Sequence, residues 1–569
     1  MKIHSTKSIP KPPSLLNSKT FSGLIFLAAL VWSLHTAGIF SGNLINPGGW
    51  SLVRRFIVAA IHADFSPEIL KLTLEATFKT LAYAVCGTFF SVIIGLVGGI
   101  LSSEVWWQAV SPTKGRHPYT PWLVVRAILA IPRAIHELIW GLFFVNIFGL
   151  DPLVAILAIA IPFGTITAKV FSEIFDETPR QPLTVLLNSG VLPLTAFTYT
   201  LIPQAFLNLL SYSFYRLECS IRAAAVLGII GAGGLGYQML LSLQSLRYEE
   251  MWTFLIALVL LSGFTDFWSA LLRQRLGAPS RLDLNVLNLK KPKNNHNQND
   301  PIIKASLFSA IVLLIFSFWY VQADFSKLWS PRTAKLLAGV INDALPPDFS
   351  QLNQLFSLST QTLAMSILAI ALSGLGGILL SFPAAHNFLL PKRIISNNQP
   401  LWTSLTRYWT TLLLILTRFL LLFLRAVPEP IWALIFLFVL FPGILPGAIA
   451  LCLHNLGILG RLMAEVTENL DPRPSSSLKA LGATNPQIFL YSVIPRTLPR
   501  NLAYILYRWE VCIRASVIVG LVGAGGLGRL MTEQLSSFDY KGLLTTLLVF
   551  IALTFFVDLI SAKLRQTLR

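Results

Sequence analysis

The stretch Glu218-Cys-Ser-Ile-Arg-Ala223, followed closely by Gly231-Ala-Gly-Gly-Leu-Gly236, decides how the whole chain is read, because it occurs twice. Its second copy is Glu510-Val-Cys-Ile-Arg-Ala515 with Gly523-Ala-Gly-Gly-Leu-Gly528, 292 positions further on. The same offset carries Arg126, Arg133, Glu137 and Trp140 onto Arg418, Arg425, Glu429 and Trp432. It also carries Lys169, Glu173, Gly190, Pro203 and Asp266 onto Arg461, Glu465, Gly482, Pro495 and Asp558. A fixed period sustained over this distance marks an internal duplication. Upstream of Arg126 the register slips by several residues, as expected where loops differ in length.

The solvent around most of the duplicated unit is lipid. The chain has 569 residues, of which 54% are hydrophobic and 12% charged, with a mean hydropathy of +0.66. Apolar runs recur at Phe21–Phe40, Thr80–Leu101, Trp252–Leu272, Ala305–Val321, Thr362–Leu380 and Leu543–Ile560. About 20 such residues cross a hydrocarbon core. Six spans per half are expected, in the first at about 20–40, 80–101, 122–148, 152–172, 204–230 and 251–272, with counterparts making twelve in all. The fold expected is therefore all-α, a polytopic membrane protein of two parallel six-helix repeats around a pseudo-twofold axis along the membrane normal.

The net charge of +18 does not point to nucleic acid, because the basic residues sit between spans. Lys2, Lys7, Lys11 and Lys19 precede the first span. Arg273, Arg275, Arg281, Lys290, Lys291, Lys293 and Lys304 fill a central polar stretch, and Lys563, Arg565 and Arg569 follow the last span. By the positive-inside rule these three regions are cytoplasmic. The organisation expected is a basic tail over 1–19, a first repeat over 20–272, a linker over 273–304 too polar to pack, and a second repeat over 305–569. The first span reads as an uncleaved anchor, since its apolar run exceeds that of a signal peptide and has an internal counterpart. Cys86, Cys219, Cys452 and Cys512 lie in apolar stretches without metal-ligand spacing, so no metal site or disulfide framework is expected.

Between the fourth and fifth spans of the second half runs Ser475-Ser-Ser-Leu-Lys-Ala-Leu-Gly482-Ala-Thr-Asn-Pro-Gln-Ile-Phe-Leu-Tyr-Ser-Val-Ile-Pro495. A short amphipathic helix ended by glycine, with a proline opening the next span, makes a rigid knob outside the bilayer. This loop resembles the cytoplasmic signature loop of bacterial ABC importer permeases, in which the knob docks in a groove of the ATPase. The resemblance implies coupling through Ser476, Leu478, Ala480, Gly482 and Pro495, and through Thr184, Gly190 and Pro203 in the first half. Ser476 and Thr184 stand where the family has Glu, and the first-half loop Thr184-Val-Leu-Leu-Asn-Ser-Gly190 has drifted further. The Glu-x-x-Ile-Arg-Ala and Gly-Ala-Gly-Gly-Leu-Gly strings, with Arg425-Ala-Val-Pro-Glu-Pro-Ile-Trp432, are similar to the phosphonate permease subfamily. That similarity covers the later two thirds of each half. It implies an importer for phosphonate or a related phosphorus oxyanion, working by alternating access with two copies of an ABC ATPase and a periplasmic or lipid-anchored binding protein. No Gly-x-x-x-x-Gly-Lys-Ser/Thr loop occurs, so ATP hydrolysis belongs to a separate subunit and the chain itself is not expected to be an enzyme or to hold a cofactor. The location implied is the bacterial inner membrane, with both termini cytoplasmic.

Charges inside a bilayer are costly and usually pair or line a pathway. Glu218 with Arg222, and Glu510 with Arg514, are four residues apart and read as helix-face ion pairs whose arginines can exchange partners for an anion. Arg133 with Glu137, and Arg425 with Glu429, share the same spacing, and guanidinium suits oxyanions because it donates a bidentate fork. These eight residues are the candidate substrate pathway. Gly231, Gly233, Gly234 and Gly236, with Gly523, Gly525, Gly526 and Gly528, fit the letters of a dinucleotide fingerprint but follow an apolar helix instead of a strand. They read as a candidate gate at the outer end of the fifth span. His136 and His454 read as packing residues. The alternatives are the same importer for phosphate, phosphite or an amino acid, or an ion-driven secondary transporter, which would need no coupling loop.

Overall fold

The computed structural model describes residues 18–40, 44–110, 119–276, 301–389 and 401–568. The basic tail with Lys2, Lys7 and Lys11, and linker residues 277–300, lie outside the described residues. All extended regular structure described is helical, with one isolated bridge between Ile45 and Leu440.

The first half contains α1 (Ser18–Thr36), α2 (Pro67–Ser102), α3 (Tyr119–Ala134), α4 (Glu137–Phe148), α5 (Pro152–Glu177), α6 (Gln181–Asn188), α7 (Pro193–Leu227), α8 (Leu235–Gln244) and α9 (Tyr248–Leu276). The second repeats the order as α10 (Pro301–Val321), α11 (Leu352–Ala384), α12 (Leu401–Ala426), α13 (Glu429–Val439), α14 (Ile444–Glu468), α15 (Arg473–Ala480), α16 (Ile494–Val519), α17 (Gly526–Ser536) and α18 (Tyr540–Leu568). Local chemistry sets several boundaries. Asp151 caps α5 by accepting the Leu153 N–H at 2.8 Å, Pro152 occupies its first turn, and Gly149 at φ +71° ends α4.

Among the described residues eight helices are long and apolar enough to cross a membrane, and ten spans result if two bent pairs, α3 with α4 and α7 with α8, each count as one. The other two expected spans are α1, whose apolar part is short, and α16, which carries Arg496, Arg500, Arg508, Glu510 and Arg514. Each has its match in the other half, α10 and α7. The third expected span, 122–148, is not one straight helix: α3 and α4 meet at 83°. Pro132 and the cap at His136 interrupt the backbone ladder there.

In each half the second span packs along the fourth, α2 along α5 and α11 along α14. The contact of α2 with α5 is so close that a Cβ at Gly95 would lie 2.4 Å from Thr167, and one at Gly99 2.7 Å from Phe171. Small residues let helices associate in lipid, where no hydrophobic drive pulls them together. The first helices cross over: α10 packs on α2, with Phe318 5.7 Å from Phe89 and 5.8 Å from Phe90, while α1 packs on α11. Behind α1 the chain stays with the second half, the Asn46 N–H donating to Val439 O at 2.6 Å. The two repeats are therefore laced into one body around a shared interior.

Candidate functional site

Where the halves meet, a cavity of about 160 Å³ lies between α7 and α16. Five guanidinium groups line it: Arg133 from α3, Arg216 and Arg222 from α7, and Arg508 and Arg514 from α16. Two carboxylates, Glu137 and Glu429, complete the charged lining. An excess of cations in a membrane interior is stable only if anions or other acceptors answer it. Arg216 is braced by aromatic groups, donating to the Tyr212 hydroxyl and lying 5.2 Å from the Phe163 ring. Arg508 instead donates to Asn455 Oδ1 at 2.9 and 2.6 Å.

Backbone breaks bring the acidic groups in. Glu137 opens α4 immediately after the 83° bend, so Arg133 and Glu137 reach the cavity from two helices and not from one helical face. Glu429 opens α13 after Val427 and Pro428. The bends are matched: Trp140 Nε1 donates to Pro132 O and Trp432 Nε1 to Leu424 O, both at 3.4 Å. Each glutamate meets a histidine, Glu137 at 3.1 Å from His136 Nε2 and Glu429 at 3.2 Å from His454 Nε2.

The remaining charges divide unequally. Arg425 is buried in a cluster with the first half, 3.4 Å from Glu218 and 2.6 Å from Asp266. Arg222 reaches the same Glu218 at 3.9 Å, near the limit of an ion pair. In the matching place Glu510 pairs with Arg565 and not with Arg514, which donates to Arg133 O at 3.4 Å. Arg133, Glu137, Arg222, Glu429 and Arg514 therefore line the cavity, while Arg425, Glu218 and Glu510 lie outside its lining.

Both glycine strings form a π-helical turn and then a break, bending α7 from α8 by 56°. Gly231, Gly233 and Gly234 have φ of +95°, +86° and +79°, and Gly523, Gly525 and Gly526 have +99°, +78° and +72°. Only glycine adopts such backbone without strain. The helix that follows is capped across the bundle: the Leu235 N–H donates to Thr80 Oγ1 and the Leu527 N–H to Thr362 Oγ1, both at 2.9 Å. Gly236 and Gly528 are required by space, since a Cβ at Gly236 would lie 1.7 Å from Ala225 O.

At the opposite ends of α7 and α16 stand two knobs, α6 and α15, exactly 292 residues apart. Each ends on a positive-φ glycine, Gly190 at +83° and Gly482 at +84°. The closing bonds match: Gly190 N–H to Leu187 O and Gly482 N–H to Lys479 O, both at 3.0 Å. Ser476, Ala480 and Thr184 are exposed, as is Leu481, and Leu478 is half-buried. Pro203 lies inside α7, whereas Pro495 follows a π-helical turn at Phe489–Val493. Beside the second knob the Arg473 N–H and guanidinium bond Asp471, holding its carboxyl below the usual carboxylate range.

Six polar cavity residues escaped the sequence assignment. Arg216 and Arg508, with Tyr215 and Tyr507, obey the 292-residue offset, which could have revealed them. His136 and His454 carry no such signal, because the offset pairs them with Pro428 and Pro162.

Residues 120–278 and 402–569 each match the family model described as binding-protein-dependent transport system inner membrane component. A phosphate-import permease protein of Mycolicibacterium smegmatis is 26% identical over 86% of this chain and 84% of its own length. A phosphite transport system permease protein of Stutzerimonas stutzeri is 34% identical over 45% of this chain and 85% of its own. A putative cryptic phosphonate transport system permease protein of Escherichia coli is 33% identical over 21% of this chain and 97% of its own.

Proposed function

From the membership of this chain in the binding-protein-dependent transport system inner membrane component family, shown by its two matched segments, we propose that it supplies both permease halves of an ATP-driven importer for phosphorus oxyanions. Such permeases are multi-pass inner membrane proteins, not enzymes, and work with an ATPase and a substrate-binding protein. The observation that carries the substrate class is the cavity with its five arginines contributed by both halves. Relatives named for phosphate, phosphite and phosphonate support the same class. Arg133, Arg222 and Arg514 are assigned to the anion, with Arg216 and Arg508 beside them. The two knobs are assigned to two ATPase copies, the glycine breaks to the outer gate, and both termini and the linker over 273–304 to the cytoplasm. The binding protein, periplasmic or lipid-anchored, would deliver to the gate side.

Reconstitution of the chain in lipid nanodiscs with its ATPase and binding protein tests this. Phosphate, phosphite or methylphosphonate should stimulate ATP hydrolysis, and R222A/R514A should remove most of that stimulation. Stimulation by an amino acid alone, with none by any phosphorus oxyanion, would sink the substrate class.

A further inference from the structure

The cavity contains more than cations. Its two histidine–glutamate pairs join glutamates that the internal repeat relates to histidines that it does not, yet each histidine lands on the carboxylate that opens a helix after a bend. Their hydrogen bonds differ in kind. His136 Nδ1 accepts the Leu138 N–H at 3.3 Å, so its proton sits on Nε2 and is donated to Glu137 Oε2. His136 thus presents a donor to Glu137, whose carboxyl serves as the acceptor. His454 Nδ1 faces Val427 O at 3.2 Å, and a carbonyl can only accept, so Nδ1 carries the proton. Its Nε2 contact with Glu429 at 3.2 Å then requires a second proton shared by that pair. The first pair offers an acceptor to the cavity, and the second already holds its proton.

Resting on the assignment of this cavity to phosphorus oxyanions, we infer that Glu137 is a specificity-determining residue that accepts a hydrogen bond from the P–OH group of a protonated oxyanion and rejects tetrahedral anions that have none. The physical reason is the sign of the charges. Guanidinium groups alone bind any compact dianion, sulfate as readily as hydrogen phosphate. A carboxylate among them repels an oxygen that lacks a proton and bonds one that keeps it, so discrimination comes from the mismatch as much as the match. The titratable and charged groups that share the cavity lining with Glu137 are Arg133, Arg216, Arg222, Arg508 and Arg514, with His136, Tyr215, Tyr507, Cys219 and the His454–Glu429 pair. None but the carboxylates is an anion-repelling acceptor at neutral pH, and Glu429 is already engaged with a proton.

The test is equilibrium binding of radiolabelled phosphate to the full chain with its ATPase subunits in nanodiscs, without binding protein, in competition with unlabelled phosphate or sulfate. In the native chain sulfate should compete about 10- to 100-fold more weakly than phosphate, the range expected from one hydrogen bond to a charged group. In E137Q the two anions should compete about equally, and E137D should restore part of the difference. A purely structural role predicts that E137Q weakens both anions alike and leaves their ratio at the native value. A second measurement needs no variant: methylphosphonate loses its last P–OH as pH rises, whereas hydrogen phosphate keeps one. The affinity ratio of phosphate to methylphosphonate should therefore rise with pH, and a flat ratio overturns the inference. Phosphate binding without discrimination against sulfate overturns it alone, whereas no phosphate binding to the native chain also removes the cavity assignment beneath it.

Discussion

Arg425 and Arg133 occupy equivalent positions in the two repeats and have opposite surroundings. Arg425 is closed in against Glu218 and Asp266 of the other half, with its side chain 7% exposed. Among the described residues Arg133 makes no ion pair, and it lines the cavity instead. The carboxylate that would match Glu218, Glu510, is held by Arg565, and Asp558, the match of Asp266, leaves Oδ1 buried without a partner. The same charges at the same spacing thus give one lock that is shut and one that is open. Duplicated sequence fixes which groups are available and leaves their pairing to the packing of each copy.

The sharpest way to break the comparison is to make the same change in both copies. R425A takes the close cation from buried Glu218 and half-buried Asp266, and breaking a buried pair costs about 3 to 5 kcal/mol. Its thermal unfolding midpoint in nanodiscs should fall well below that of the native chain, and D266N should move it the same way by less. R133A should leave the midpoint near the native value and instead weaken anion binding. Equal destabilisation by the two arginine variants would mean that the open lock is closed in the membrane.

The glycine breaks sharpen the comparison from the other side, because here both copies agree. G234A and G526A each force a side chain into positive-φ backbone, with the new Cβ 2.5 and 2.7 Å from the hydroxyls of Thr80 and Thr362. Such strain costs about 1 to 3 kcal/mol. Both variants should lose substrate-stimulated ATP hydrolysis to a similar degree, and a difference of more than about tenfold (about 1.4 kcal/mol) would show that one break alone is the gate.

A smaller effect is expected at the knobs. The first-half loop shares little beyond Gly190 and Pro203 with the second, and yet α6 and α15 end on the same φ and the same bonds. G190A and G482A should each weaken retention of the ATPase by about 1 kcal/mol, the usual scale for a residue forced into left-handed backbone. Measured by dissociation of the ATPase from the nanodisc complex, matching losses mean that both knobs carry load. A loss with G482A only means that the drifted loop is idle.

These cases mark what the sequence discloses. Apolar length and a constant offset reveal the duplicated helices, and spacing finds Arg222 and Arg514 because both lie on uninterrupted helix. It fails at Arg133 and Glu137, since four-residue spacing means a shared face only on a straight helix and the chain turns between them. The histidines are invisible for a different reason: His454 reaches Glu429 from another helix, a contact that depends on how α13 and α14 pack. The lacing of first helices across the halves is equally silent, because an apolar helix in lipid has no pattern that names its neighbour.

Asp558 gives the weakest and most discriminating test of the open lock. Its buried Oδ1 accepts no bond, so replacing the carboxylate by an amide removes little that holds the helices together. D558N should change the unfolding free energy by less than about 0.5 kcal/mol, as for substitutions away from any established network. Removing that charge leaves Arg133 with less opposing field, and phosphate affinity should rise modestly. The matched D266N has no such freedom, because Asp266 lies 2.6 Å from Arg425 and its loss reopens a cluster that is already closed. A large destabilisation by D558N would place Asp558 in a working ion pair with Arg133, and the difference between the two copies would then belong to one conformation of the transport cycle instead of to the sequence.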